Sequence, residues 1–233
     1  MPQRTLLSAA LLSGWLSLIF AALPQSQGAE APPPVDIILV AGQSNAVGYD
    51  ANPQLLAADE RDQQVRFWFR CGDPPPDEFD TRSDGWATLA PQPRGMPDTT
   101  PGRARQYGNF ALPQGGFGPE IGFARSVLDR QPQAALAIIK VAYSGTSLLH
   151  DWNHTGNAQQ SSCYRVLVAE GRAALQAAAA QGWTGRIRGF VWVQGESDAR
   201  PDAAETYSAA RQAMLQQLRQ ELAAPEVLGL VGV

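Results

Sequence analysis

Five apolar runs punctuate the chain, and amphipathic stretches lie between them. Residues 36–41 read D-I-I-L-V-A, 65–69 read V-R-F-W-F, and 135–142 read A-L-A-I-I-K-V-A. Residues 187–193 read I-R-G-F-V-W-V, and 227–233 read V-L-G-L-V-G-V. Short runs rich in β-branched and aromatic residues predict buried strands. Helices are predicted over 119–130, 163–181 and 201–222. The first has Pro119 in its opening turn with Gly118 before it, which suits a helix start. The second places apolar residues at helical spacing and ends in alanines. Residues 73–116 carry no such period and are crowded with Pro, Gly, Asp and Arg. A loop of that length points to function or mobility.

Strands alternating with helices predict a parallel sheet covered on both faces, an α/β three-layer sandwich. Three of the strands end in related motifs: Gly42-Gln43-Ser44-Asn45, Gly145-Thr146-Ser147 and Gly195-Glu196-Ser197. Open α/β sheets build their sites at the carboxyl ends of strands. Motifs far apart in sequence can therefore meet there.

Composition narrows the setting. The chain has 233 residues, 44% hydrophobic and 17% charged, with net charge −4. That length supports one large domain with a sizeable core. The absence of a basic run argues against nucleic acid as a partner. Arg4 followed by an apolar stretch over 6–23 and then P-Q-S-Q-G over 24–28 resembles a secretory signal peptide, with Ser26 and Gly28 at the −3 and −1 positions. An uncleaved membrane anchor is the alternative. The expected organisation is a signal over 1–28, a Pro-rich linker over 29–35 and one domain over 36–233. Export permits a disulfide, and Cys71 and Cys163 allow one pairing. Two separate thiols satisfy the sequence equally well. The cysteines lack the ligand density of a zinc site. Lys140 is the only lysine.

The chemistry turns on which serine is a nucleophile. The α/β-hydrolase elbow needs Gly-x-Ser-x-Gly. Ser44 and Ser197 are each followed by a residue and then alanine, so the elbow is not matched. A single Gly-x-Ser is also an ordinary turn. Taken together and in order, however, Gly42-Gln43-Ser44-Asn45, Ser144-Gly145-Thr146-Ser147 and Trp192-Val193-Gln194-Gly195-Glu196-Ser197-Asp198 resemble the motif blocks of the SGNH-hydrolase superfamily. They are most similar to its sialate O-acetylesterase and acetylxylan-esterase branch, as is Gly118-Pro119-Glu120 ahead of a helix.

The resemblance implies an SGNH, flavodoxin-like fold and a carbohydrate O-acetylesterase acting on O-acetylated sugars. It implies no metal or cofactor; cleavage of the signal would leave no membrane partner. It assigns Ser44 as nucleophile and the Gly145 N–H as an oxyanion donor. Gln194 is either a further donor through its side-chain amide or a buried amide tying two loops. Glu196 either orients a histidine or accepts loop N–H groups. Asp198 is expected to cap the following turn or helix. Asn45, Trp152 and His154 are expected at the substrate; Trp68, Trp86 and Trp152 each either offer a face for a sugar ring or pack in the core or rim. The base expected from the family is the histidine of an Asp-x-x-His block after the last strand, which implies that the domain is C-terminally incomplete at Val233. Within the chain only Asp151-Trp152-Asn153-His154 has that pattern, and His150 and His154 are the only histidines. A non-catalytic carbohydrate-binding protein and an esterase for other acyl groups are the alternative readings.

Overall fold

The computed structural model describes residues 33–95 and 110–232. The signal segment 1–28, the first part of the linker and the centre of the long loop lie outside the described residues. Among the described residues, seven strands and four α-helices follow in chain order: β1 (Val35–Gly42), α1 (Ser44–Val47), β2 (Arg66–Gly72), β3 (Thr81–Arg82), β4 (Ala87–Thr88), α2 (Pro119–Arg130), β5 (Leu136–Tyr143), α3 (Ser162–Ala180), β6 (Gly185–Val193), α4 (Pro201–Glu221) and β7 (Leu228–Gly232). All five apolar runs form strands, and the three expected helices form within a residue or so of their predicted limits.

The strands make one sheet in the order β3-β2-β5-β1-β6-β7, with β4 also on β2. The five longer strands pair in parallel. The two short ones run antiparallel along β2 and give the long loop an anchored first part that its composition did not announce.

Alternate residues of each strand point to opposite faces. On β1, Ile37, Leu39 and Ala41 pack with Leu167 and Val168 of α3 and with Met214 and Leu218 of α4. Ile38 and Val40 pack with Ile121, Ala124 and Leu128 of α2 on the other face. Helices thus cover both faces, as a parallel sheet requires. β1 lies in the middle, which explains why its run is apolar without alternation. On the outer strand β7, Leu228, Leu230 and Val231 are exposed.

The two cysteines are free and buried. Cys71 packs with Ala46, Val47, Phe110 and Ala142, whereas Cys163 sits in the cluster beneath α3. The disulfide alternative is therefore not realised. Among the described residues no helix is long and apolar enough to cross a membrane.

Candidate active site

Strand register places the three motifs at one edge. Gly42, the last residue of β1, stands level with Ala142 on β5 and Val193 on β6. Ser44, Ser144-Gly145 and Gln194-Gly195 therefore leave three adjacent strands side by side. From here β1 leads toward β2 on one side, and β6 leads toward β7 on the other. Such a divergence of connections opens a crevice in α/β sheets. Gly42 is required at this point: its φ is 144°, and a Cβ would lie 1.9 Å from the Val193 carbonyl oxygen.

Ser44 opens the one-turn helix α1 and is half-buried. Its carbonyl accepts from the Gly48 and Tyr49 N–H groups at 2.9 and 3.1 Å. Among the described residues its hydroxyl has no hydrogen-bond partner. The residues on either side tie the first block to the third. The Gln43 N–H donates to Val193 O at 3.0 Å, and Gln43 Oε1 accepts from the Ser197 N–H at 3.4 Å. Asn45, exposed, donates from Nδ2 to Glu196 Oε1 at 2.5 Å.

Gly145 is exposed, with φ 69° in the left-handed region and open space where a Cβ would stand. Glycine reaches this conformation without strain, and it leaves the backbone open to close approach. Its loop is held from below. The Thr146 hydroxyl donates to Tyr143 O at 2.6 Å, and the Ser147 N–H donates to Asp151 Oδ2 at 2.8 Å.

Gln194 adopts the second of its two readings. It is buried, and Nε2 donates both to Thr146 O at 2.9 Å and to Asp198 Oδ2 at 2.7 Å. A primary amide has two hydrogens, so neither remains for an oxyanion at Ser44. In this geometry the amide ties the Thr146 and Asp198 loops together. The Tyr207 hydroxyl lies 2.8 Å from Gln194 Oε1 and fixes the amide's orientation.

Asp198 is the centre of this tie and does not cap a helix. Its buried carboxylate accepts from Ser147 Oγ at 2.5 Å, from the Leu148 N–H at 2.7 Å and from Gln194. The N-cap of α4 is Arg200, with no side-chain cap.

For the tryptophans the packing alternative holds, and Trp152 is corrected as a substrate contact. Trp152 is fully buried and cannot offer a face to sugar. Its indole N–H donates to Thr146 Oγ1 at 2.9 Å, and its ring meets Trp192 edge-on at 5.2 Å. Trp68 and Trp86 are half-buried against α3, donating to Glu170 Oε2 and Ala174 O, away from the motif edge. His154 is half-buried and packs edge-on toward Tyr164 at 6.1 Å. His150 is exposed and approaches Asp151 Oδ1 at 3.3 Å.

A cavity of ≈ 420 Å³ opens beside α1, lined by Asn45, Gln194, Gly195, Glu196, Ala199 and Gly232 among others. Neither histidine lines it. Among the described residues no group of acidic, histidine or cysteine side chains is arranged to hold a metal ion.

The roles of two participants escaped the sequence. Asp198 lies inside the third block but carries no mark of its long-range partners. Lys140 does carry a mark, because a lysine inside A-L-A-I-I-K-V-A must be paired if the strand is buried.

Such a sheet, with motif-bearing loops at one edge, is that of the SGNH-like carbohydrate esterases. The model of the family "carbohydrate esterase, sialic acid-specific acetylesterase" matches residues 34–233, and the chain belongs to that family. Two solved structures agree in fold. A protein of Arabidopsis thaliana is 18% identical with a TM-score of 0.55, over 85% of this chain and 74% of its own. NanS is 20% identical with a TM-score of 0.53, over 88% of this chain and 69% of its own. XAC1771, described as a novel carbohydrate acetylesterase from Xanthomonas citri, is 18% identical with a TM-score of 0.49, over 84% of this chain and 40% of its own. A search of curated proteins gives no significant match.

Proposed function

We propose that the chain is a carbohydrate O-acetylesterase that works through an acetyl-enzyme on Ser44. The observation that carries this is the meeting, at adjoining strand ends, of Ser44, whose hydroxyl has no hydrogen-bond partner among the described residues, with the open, left-handed backbone of Gly145. Ser44 Oγ attacks the acetyl carbonyl as a base removes its proton. The Ser44 and Gly145 N–H groups receive the oxyanion, the interaction that most stabilises such a transition state. Collapse of the tetrahedral species expels the sugar alkoxide, which takes a proton, and leaves the acetyl-enzyme. Water then repeats the attack and releases acetate. Gln194 and Asp198 are positioning residues that hold the Gly145 loop, and Glu196 holds Asn45. The base in this reading is a histidine.

Acetate release from O-acetylated glycans tests the proposal. Ser44→Ala should abolish release while glycan binding persists. Separate His150→Ala and His154→Ala variants report whether either histidine is the base. A non-catalytic glycan-binding protein is the second reading, favoured by the absence of both histidines from the cavity beside Asn45. It predicts no release by the wild type. Activity on long acyl esters equal to that on acetyl esters would point to an esterase for other acyl groups.

Export through residues 1–28 belongs to the same proposal. N-terminal sequencing of the protein recovered from outside the cytoplasm should begin near Ala29, whereas an anchor would retain Met1.

A further inference from the structure

Lys140 stands on β5, five residues before Gly145, and is 0% exposed. Its ammonium group donates to Val47 O at 3.0 Å and to Gln92 Oε1 at 2.6 Å, and it forms an ion pair with Glu120 Oε2 at 2.9 Å. Glu120, equally buried in the first turn of α2, accepts through Oε1 from the Gly118 N–H at 2.8 Å and from Gln92 Nε2 at 3.1 Å. Both charges are buried and paired with each other, and Glu120 Oε2 has no hydrogen-bond partner besides that ion-pair contact. A buried ion pair is weak evidence for stability, since apolar residues of similar shape often serve as well. What the pair grips is more informative.

Val47 is the last residue of α1, the turn that begins with Ser44. A helix leaves its final carbonyls without internal partners, and a one-turn helix has little else to hold it. A lysine at such an end satisfies a carbonyl and complements the helix dipole. The same turn is hemmed in by the chain ahead of α2. A Cβ on Gly48 would lie 1.9 Å from Phe117 O, and one on Gly118 would lie 2.3 Å from Ala46 O. Lys140 therefore links the Ser44 turn to the strand that leads into Gly145.

We propose that Lys140, held by Glu120 and Gln92, is a positioning residue that fixes the Ser44 turn against the Gly145 strand end. This rests on the reading of Ser44 as nucleophile and Gly145 as oxyanion donor. Displacing one against the other by a fraction of an ångström should slow acyl transfer without weakening substrate binding.

The test uses the full chain with Lys140→Met combined with Glu120→Gln, which replaces the ion pair by neutral groups of similar length. Amide hydrogen exchange at Gly48 and Tyr49, the donors to Ser44 O, should rise at least ~10-fold while exchange within β1 is unchanged. Acetate release should lose ~10- to 100-fold in kcat at constant KM, and phosphonylation of Ser44 by a fluorophosphonate should slow in parallel. Gln92→Leu keeps the ion pair and should move all three readouts in the same direction by several-fold, which covers the case in which the double variant does not fold. Unchanged exchange at Gly48 and Tyr49 in a folded variant overturns the proposal, as does a wild-type kcat. Failure of the underlying reading shows separately: Ser44→Ala in the otherwise wild-type chain would then leave acetate release and phosphonylation intact, whatever the exchange data say.

Discussion

Asn45 and Glu196 are 151 positions apart in sequence and joined by a hydrogen bond of 2.5 Å. They come from the first and third motif blocks, and both are exposed. An exposed contact of this kind contributes little to stability. Its consequence lies in where it holds Asn45, directly after Ser44. Asn45→Ala and Glu196→Ala should change unfolding free energy by no more than about 0.5 kcal/mol and lower the rate of deacetylation by roughly 10-fold, the scale of one misplaced group near the reacting atoms. Glu196→Gln keeps a carbonyl that accepts from Asn45 and should stay near the wild-type rate. Equal losses for Glu196→Gln and Glu196→Ala would assign the effect to charge and not to the bond.

Trp152 separates packing from recognition. Its ring is wholly inside and its N–H is bonded to Thr146, the residue after Gly145. Trp152→Ala should destabilise the fold by about 3–5 kcal/mol, as truncation of a buried aromatic does. Denaturant unfolding measures this directly. Trp152→Phe should remain folded and keep its KM for acetylated glycan. A raised KM with unchanged stability would return Trp152 to the substrate.

The same residue shows what a sequence can and cannot convey. The run at 36–41 and its counterparts announced strands because both faces of a central parallel strand are buried, so the apolar pattern is continuous. The convergence of Ser44, Gly145 and Gln194 was legible because parallel strands with helical crossovers bring their carboxyl ends to one edge. The partners of each side chain at that edge were not. Gln194 is committed to Thr146, 48 positions away, and to Asp198. No local pattern encodes such contacts. A tryptophan in a polar loop suggested a sugar platform, but loop and core are distinguished only once the loop folds back. Lys140 lies between these cases: its charge within an apolar strand demanded a partner, but Val47, 93 positions away, could not be read out.

The cysteines give a prediction about reactivity. Burial pushes the Cys71 thiol up to about 12 and that of Cys163 well above its usual value. The thiolate is the reactive species, so a disulfide-exchange reagent should titrate no thiol in the native protein and two per chain in denaturant. Reducing agent should leave the melting temperature unchanged. One missing thiol pair after denaturation without reductant would reveal a bridge that the separate packing of the two residues argues against.

Asp80 should make stability depend on pH in an identifiable way. Its side chain is fully buried. Oδ2 accepts from Arg70 Nε at 2.8 Å, from the Tyr143 hydroxyl at 2.8 Å and from the Asp77 N–H at 3.2 Å. Oδ1 faces Gly72, where a Cβ would come within 2.0 Å, and has no hydrogen-bond partner. Desolvation outweighs the bonds from Tyr143 and Arg70 and raises its pKa from 3.8 to about 6. The folded state thus binds this proton more tightly than the unfolded chain does. The resulting stabilisation is full below pH ~4 and is lost as the pH rises through ~6, because folding must then bury a charge. A shift of about two units corresponds to about 3 kcal/mol. Asp80→Asn removes the titration while keeping a side chain of the same shape that can accept from Arg70 and Tyr143. Urea unfolding of both proteins from pH 4 to pH 7 isolates the group, since all other titrations are common to the pair. The wild type should lose about 2–3 kcal/mol more than the variant across that range. Parallel profiles would mean that Asp80 titrates like an ordinary aspartate, and that Arg70 and Tyr143 fully offset its burial.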